Sequence, residues 1–510
     1  SGQDMMLKDL LKEIAEKKIY GNSNIEITDI TSDSRKVKDG SLFVAIKGTN
    51  ENGHNYIHDA IKKGARALVV ENFETISADY SLPIVIVPNS RHALGKLASA
   101  LNGFPSEFMR LAAVTGTNGK TTITYLMESM IKSANYQSGV IGTISYRYKD
   151  KDIPATTTTP GADEIQKLLK KMLNEGITHV VMEVSSHALH QDRVLGCHFD
   201  VAIFTNLTAE HLDYHKDEEE YFKSKAKLFL NYMNGNKKKK KLAIINCDDP
   251  KGREILEMIK VDALKYGLNF KEDIFFSDIK LSIDGIKGTL NLPKEKIIVD
   301  SSLIGEFNAL NIMAAVGGAI GMGLSKDAME KGIKRLKGVP GRLERIDNHL
   351  GAYIFVDYAH TSDSLLKVTT TLKRLINGRL ITLFGCGGDR DRKKRPIMGK
   401  VAVKNSNLTI ITSDNPRNED PKKIISEIEE GIKEEDVEKV DAKEFISTTN
   451  NGYLTEVDRR KAIEIALKSV RPSDCLLIAG KGHENYQIIG NKRIPFDDRK
   501  VVKEILEEMR

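Results

Sequence analysis

The sequence predicts an α/β protein of three domains built on mostly parallel sheets. Three observations carry this. Short apolar strands alternate with helical stretches along most of the chain. The 510 residues exceed what one core ordinarily serves. A break at Gly338-Val339-Pro340-Gly341 separates two long strand-and-helix series.

Residues 1–108 read as a small α/β unit, with strands SLFVAI at Ser41–Ile46 and ALVVE at Ala67–Glu71. From Arg110 a strand, LAAVT, opens a longer series that continues through ITHVVMEV from Ile177, DVAIFTN from Asp200 and KLAIIN from Lys241. This series is expected to form a central domain over 109–337. Between about 270 and 305 the pattern changes to short strands and turns (FFSDIKLSIDGIKGTLNL), an insertion or edge region, before a helix from Asn308 toward Leu324. A third series, YIFVDY, LITLFG, LTIITSD and CLLIAG, fills 338–510. No repeat of solenoid period is present.

Composition narrows the class. A hydrophobic share of 40% beside 29% charged residues excludes a disordered or fibrous chain. The net charge of +6 is small against 77 basic and 71 acidic residues, so nucleic acid is not an expected partner. The basic run Lys237–Lys241 reads as a solvated loop. The longest weakly polar stretch, Ile312–Leu324, is well short of the roughly 18 residues that span a bilayer, so no membrane insertion is expected. The N-terminus SGQDMM has no basic region followed by an apolar one, and no signal peptide is expected. Cys197, Cys247, Cys386 and Cys475 lack metal-ligand or disulfide spacing and fit reduced thiols of a cytoplasmic protein; a monomer is expected.

GTNGKTT follows the first strand of the central series and opens a helical pattern. A strand, a glycine turn and a helix N-terminus present backbone N–H groups and a positive dipole end to phosphates. Gly116, Thr117, Asn118, Gly119, Lys120, Thr121 and Thr122 are thus candidate nucleotide contacts. Lys120 can offset β- and γ-phosphate charge, and the Thr121 hydroxyl can reach a Mg²⁺ ion. The strict pattern fails at Val114, where a first glycine is usual. Glu183, at the end of an apolar strand, and His211, in the polar loop NLTAEHLDYH, could share that cation; either could equally be structural. A switch or transport ATPase would carry a similar loop.

GTNGKTT resembles the phosphate loop of the Mur ligase family and of its folylpolyglutamate synthetase relatives. Both use ATP to make an acyl phosphate that an amine attacks. The similarity extends over nearly the whole chain and implies a three-domain architecture with a central P-loop ATPase domain and a Rossmann-like C-terminal domain. It also implies Mg²⁺ held partly by Glu183, a second metal served by His211, and Lys225 of YFKSKAKLF carried as a metal-binding carbamate. Carbamylation turns a cation into an anion and reverses its electrostatic role. GEFNALN matches the family's adenine-contacting pattern at Asn308; Asn311 lies three residues on, on the same helix face. PGRLERI offers Arg342 for the γ-phosphate, and VDYAH offers Asp357 for the ribose with His360 nearby. Ser362 and Ser364 replace a Pro and an Ala of the usual pattern, which is expected to alter the turn.

The resemblance points to the branch that adds diaminopimelate to UDP-MurNAc-L-Ala-D-Glu. SDSRKVKDGSLFVAIKG resembles a uridine-binding segment, with Ser34 the matching contact. Thr158 and Thr159 of TTTTPGADE, and Ser185, Gln191 and Arg193 of SSHALHQDR, match positions that hold the UDP-linked dipeptide. Thr157, where many relatives have Asn, is left unassigned. Arg390, the Asp414-Asn415-Pro416-Arg417 run, Gly480 and Glu484 match the amino-acid pocket. Taken alone, DNPR is a turn. Physically, a substrate with a second zwitterionic end needs both signs of charge: Arg417 can pair bidentately with a distal carboxylate, and Glu484 can receive the distal ammonium. L-lysine lacks that carboxylate and would leave the arginine unpaired, which favours meso-diaminopimelate. A lysine-adding ligase and a folylpolyglutamate synthetase-like ligase remain the alternatives. Closure about the linker near Gly338 is expected to assemble the site.

Overall fold

The computed structural model describes residues 4–48, 50–72, 81–143, 145–155, 160–208, 218–235, 237–448 and 451–510. The chain packs into two compact units: Ser1–Asp278 with Thr289–Ile298 and Leu310–Arg335, and Ile279–Gly288 with Val299–Ala309 and Leu336–Arg510.

Among its described residues the first unit holds a five-stranded and an eight-stranded sheet, beside the short pair Met5–Met6 and Glu26–Ile27. The five-stranded sheet runs Lys18–Tyr20, Ile84–Ile86, Ala67–Val70, Ser41–Val44, Asp29–Thr31, with the last four parallel and the first antiparallel. Its inner strands read as unbroken apolar runs because both faces are covered. Leu42, Val44 and Val69 pack on Leu94, Leu97 and Ala98 of the Ser90–Leu101 helix, while Phe43, Leu68 and Val70 pack on Ile57 and Ala60. The Asn89 side chain starts that helix by accepting the His92 N–H at 3.1 Å.

The larger sheet has eight strands: Lys151–Pro154, Ser145–Tyr148, Ser138–Ile141, His179–Glu183, Arg110–Thr115, Val201–Phe204, Leu242–Asn246 and Asp262–Tyr266. The last six are parallel. The Arg110–Thr115 strand lies between His179–Glu183 and Val201–Phe204, with Val114 level with Glu183 and Thr115 level with Phe204. The chain leaves this strand in one direction and later returns on its other side, which is where open α/β sheets form their binding crevice. Leu111, Ala113, Val180, Met182, Ala202 and Phe204 are fully or almost fully buried in one core, each contributing roughly 1.5–3 kcal/mol if large and aliphatic or aromatic.

The second unit has a six-stranded sheet: Glu344–Ile346, Tyr353–Asp357, Cys475–Ala479, Leu380–Phe384, Leu408–Ile411, Gly452–Thr455. Five strands are parallel and Glu344–Ile346 is antiparallel. Apolar clusters lie on both of its faces, as a doubly covered sheet requires. The Ser362–Leu375 helix shows what Ser364 does. Thr361 and Ser364 form a reciprocal capping box, each side chain accepting the other's backbone N–H at 3.1 Å, so the turn is a capped helix start.

The α/β class and the main strands match the sequence reading. The helix expected from Asn308 begins at Glu306 and ends at Gly321, and the expected edge region is a three-stranded sheet, Phe275–Ser282, Gly285–Asn291 and Lys296–Ser301. Several edge strands were not anticipated: Ser145–Tyr148 with Lys151–Pro154, Gly452–Thr455, and the hairpin Tyr486–Ile489 with Lys492–Pro495. They are short, and pairing rather than local pattern makes them strands. Among the described residues no helix is long and apolar enough to cross a membrane, and the four cysteines are free and buried.

Candidate functional site

In the first unit the phosphate loop leaves the Arg110–Thr115 strand and ends at the helix Lys120–Ser133. Gly116 has φ +141° and Gly119 φ +93°, conformations that favour glycine. A Cβ on Gly116 would lie 1.8 Å from Thr205 Oγ1, and one on Gly119 would lie 2.3 Å from Asn311 Oδ1. The neighbouring strand end holds the loop further: Asn118 N–H donates to Asn206 Oδ1 at 3.0 Å, and Thr117 Oγ1 accepts Thr208 N–H at 3.0 Å and lies 3.3 Å from Tyr221 Oη. Lys120 Nζ donates to the Gly116 carbonyl at 2.7 Å, folding the ammonium over its own loop.

Glu183 ends the strand on the other side. Its Oε1 accepts the Thr121 hydroxyl at 2.9 Å, so the two expected cation ligands are together. Glu183 and Ser185 also line one small cavity of about 20 Å³ with Gly142 and Pro160. Lys225, on the Glu218–Lys227 helix, is only 1% exposed and makes no ion pair among the described residues. Burial, reinforced by the charge of Lys120, lowers its ammonium well below the ordinary lysine range and favours the neutral amine. His211, Thr158 and Thr159, with the unassigned Thr157, lie outside the described residues.

The other substrate candidates of this unit are placed as follows. Ser34 opens a short turn whose preceding Asp33 accepts the Arg35 N–H at 3.0 Å. Ser185 caps the Ser186–His190 helix through the Ala188 N–H at 3.1 Å, and Gln191 Oε1 accepts Arg193 Nε–H at 2.9 Å. Asp192, between them at φ +52°, is anchored by Lys227 at 2.6 Å, Tyr232 at 2.5 Å and His92 at 3.1 Å.

In the second unit most of the remaining candidates follow the carboxyl ends of the parallel strands, while Asn308 lies in a helix start and Arg342 precedes the Glu344–Ile346 strand. Asp357 is buried, and its two oxygens accept the Leu343 and Ala359 N–H groups at 2.8 Å each. Burial raises its pKa, against the nearby Arg342 charge and these two bonds. The Arg342 guanidinium stands 4.8 Å from the centre of the Tyr358 ring, and His360 Nδ1 lies 2.8 Å from the Tyr358 carbonyl. Asn308 is buried, with Nδ2 donating to Ile304 O at 2.9 Å. This fixes its amide at the helix start.

The amino-acid pocket candidates form one interlocked set. Lys481, fully buried after the Cys475–Ala479 strand, places its ammonium 3.1 Å from Asn415 Oδ1, 3.5 Å from Asp414 Oδ1 and 3.6 Å from Glu484 Oε1. Burial raises the Glu484 pKa; Lys481 opposes that shift. Asn415 Oδ1 also accepts the Ile488 N–H at 2.9 Å, and Gln487 Nε2 donates to Asp414 O at 2.6 Å. Arg417 is at φ +52°, with Nη1 donating to Gly388 O at 2.9 Å. The Pro416 carbonyl lies 1.8 Å from where a Cβ on Gly388 would stand, which requires glycine there. Gly480, at φ +116°, brings the backbone against Asp414, and Arg390 is exposed with Nη1 on the Asp389 carbonyl at 2.9 Å.

Family models match three stretches: the Mur ligase middle domain over residues 114–319, the Mur ligase glutamate ligase domain over 341–482, and the Mur ligase family catalytic domain over 26–101. The chain belongs to the Mur ligase family. This Mur ligase is 44% identical over 507 residues, 99% of each chain, to the UDP-N-acetylmuramoyl-L-alanyl-D-glutamate–2,6-diaminopimelate ligase of Geobacter metallireducens. It is 42% identical over 504 residues, again 99% of each chain, to the ligase of the same name from Caldanaerobacter subterraneus subsp. tengcongensis. A solved structure of a ligase of that name aligns with a TM-score of 0.74 at 32% identity over 99% of both chains.

Reading the sequence missed the residues that support these groups. Asn206 and Tyr221 hold the phosphate loop of this Mur ligase, and Lys481 lies among the amino-acid-pocket candidates Asp414, Asn415 and Glu484. A lysine between two glycines just after an apolar strand, AGKGHE, was the available signal for Lys481, because only a partnered lysine is stable there. No local signal marks Tyr221.

Proposed function

We infer that this Mur ligase is an ATP-dependent ligase of peptidoglycan synthesis that joins meso-diaminopimelate to the D-Glu end of UDP-MurNAc-L-Ala-D-Glu, acting as a monomer in the cytoplasm. Similarity to diaminopimelate ligases over 99% of the chain supports the reaction. The observation that carries the substrate choice is the pocket set itself: Arg417 supplies a cation and Glu484 an anion from loops that Asn415 and Lys481 tie together.

Residues 1–108 are assigned to the UDP end through Ser34, and Thr158, Thr159, Ser185, Gln191 and Arg193 to the dipeptide. ATP is assigned to the 109–337 domain through the loop Gly116–Thr122 and Asn308, with Arg342, Asp357 and His360 from 338–510. The adjoining Thr121 hydroxyl and Glu183 carboxylate are oxygen donors that fit Mg²⁺. Such an ion supplies charge neutralisation on the transferring phosphoryl group. Lys225 and His211 are assigned to a second metal; a buried, uncharged Lys225 amine is the form that adds CO₂ to become a carbamate.

The chemistry then follows from these side chains. The γ-carboxylate attacks the γ-phosphorus in line and ADP leaves, while Lys120 and Arg342 offset the developing charge. The diaminopimelate amine attacks the acyl carbon, the amide forms and phosphate leaves. Arg390, Arg417, Asp414 and Glu484 orient that amine by fixing the far end of the molecule.

The test is mass detection of product after incubation with ATP, Mg²⁺ and UDP-MurNAc-L-Ala-D-Glu, with meso-diaminopimelate and L-lysine in competition. The diaminopimelate tripeptide is expected. A lysine tripeptide would refute the pocket assignment, and no condensation at all would refute the ligase reading.

A further inference from the structure

Arg395 is a fully buried arginine on the Lys394–Asn405 helix, and among the described residues its hydrogen bonds go to Glu419, Glu427 and Gly387, none of them assigned above to substrate. Its guanidinium faces inward on three groups. Nη1 donates to Glu419 Oε1 at 3.1 Å and to Glu427, and Nη2 donates to Glu419 Oε2 at 2.7 Å and to the Gly387 carbonyl at 2.9 Å. Gly387 begins the loop that carries Arg390, and Glu419 ends the loop that carries Arg417. The same Glu419 accepts the Asp389 N–H, and Asn418 Nδ2 donates to Asp389 Oδ2 at 3.0 Å. Gly388 N–H donates to Asn415 O at 2.8 Å, and Arg417 Nη1 returns to Gly388 O at 2.9 Å.

The two loops are therefore stitched at their tips by the Gly388–Asn415 backbone bond and by side-chain bonds, and bolted by one buried guanidinium at their base. Bidentate geometry fixes direction as well as distance, which a lysine ammonium does not. The Arg395 guanidinium draws the Glu419 carboxyl down to about 2, so the pair is ionised at neutral pH.

We propose that Arg395 and Glu419 are a positioning pair that sets the spacing of the Arg390 and Arg417 loops, and so tunes recognition of the amino-acid substrate. This rests on the functional reading above. Neither residue needs to touch substrate: a bound diaminopimelate must meet two cations at a fixed separation, and this pair holds the loops that present them.

The test compares Glu419→Gln and Arg395→Lys with the wild-type chain, measuring KM for diaminopimelate, ATP and the UDP-linked dipeptide separately, with kcat. Glutamine can accept only one of the guanidinium's bonds and turns an N–H toward it, so KM for diaminopimelate is expected to rise about tenfold or more. Arg395→Lys keeps the charge but loses the fork, and a smaller rise of about threefold to fivefold is expected. KM for ATP and for the dipeptide should move by less than about twofold in both, a split that general loss of structure would not produce. An unchanged KM for diaminopimelate, or a parallel rise in all three, would overturn the inference alone. A wild-type chain that joins no diaminopimelate would overturn the functional reading and this inference with it.

Discussion

Replacing Lys481 with methionine removes a buried cation from between two carboxylates while keeping most of its volume. Its ammonium is 3.6 Å from Glu484 and 3.5 Å from Asp414, and its side chain is fully buried. At an effective dielectric of about 20, one such contact is worth about 4–5 kcal/mol before desolvation, an upper limit near three pKa units for the lost attraction. Glu484 is already raised by burial, with Lys481 holding it back, so the variant carboxyl must move further up toward neutral pH. A protonated Glu484 cannot pair with a distal ammonium. KM for diaminopimelate in Lys481→Met should then start to climb at a higher pH than in the wild type as the solution is acidified, and recover at the alkaline end. The assay is steady-state ligation between about pH 6 and 9 at saturating ATP, with KM for ATP as the control. Profiles that run parallel in wild type and variant would refute the argument, because Lys481 would then not set the ionisation of Glu484.

Three further outcomes follow from the geometry. Gly116→Ala places a Cβ 1.8 Å from Thr205 Oγ1 at a φ of +141°, and should destabilise the first unit by more than about 2 kcal/mol and abolish ATP binding in calorimetry; retained binding would show that the loop can shift. Lys225→Met should lower ligation by about a hundredfold or more while raising stability at pH 7. Because the native Lys225 pKa is lowered, the unfolded chain binds the extra proton, and bicarbonate-free wild-type stability should rise with pH until the ordinary lysine value near about 10.4. That contribution to the slope should be missing in urea titrations of the variant, and an unchanged slope would refute the assignment. Asp498→Ala strands the fully buried Arg459, which it now holds through two bonds of 2.8 Å, and should cost about 3–5 kcal/mol in the second unit. A loss below about 1 kcal/mol would mean that the Ser413 and Ala479 carbonyls suffice for Arg459.

The sequence by itself determined what is local. GTNGKTT announces a phosphate loop because its strand, turn and helix start are contiguous, and the glycines sit where the backbone takes positive φ. The parallel α/β class was legible for the same reason: apolar runs alternating with helices leave few other ways to bury both faces. Tertiary structure decided the rest. Lys225 looks like its helical neighbours Lys223 and Lys227 in sequence, yet Lys223 is exposed and Lys225 is 1% exposed beside Lys120, and only packing separates them. Asp357 reads as a strand-end carboxylate that could serve a ribose or the fold; in the structure its oxygens hold two backbone N–H groups. Lys481 and Arg395 gain their meaning from carboxylates 67 and 24 residues away in the chain. Ionisation and hydrogen bonding depend on distance in space, which local pattern does not encode, and so the supporting residues of the site became visible only when the strands were placed side by side.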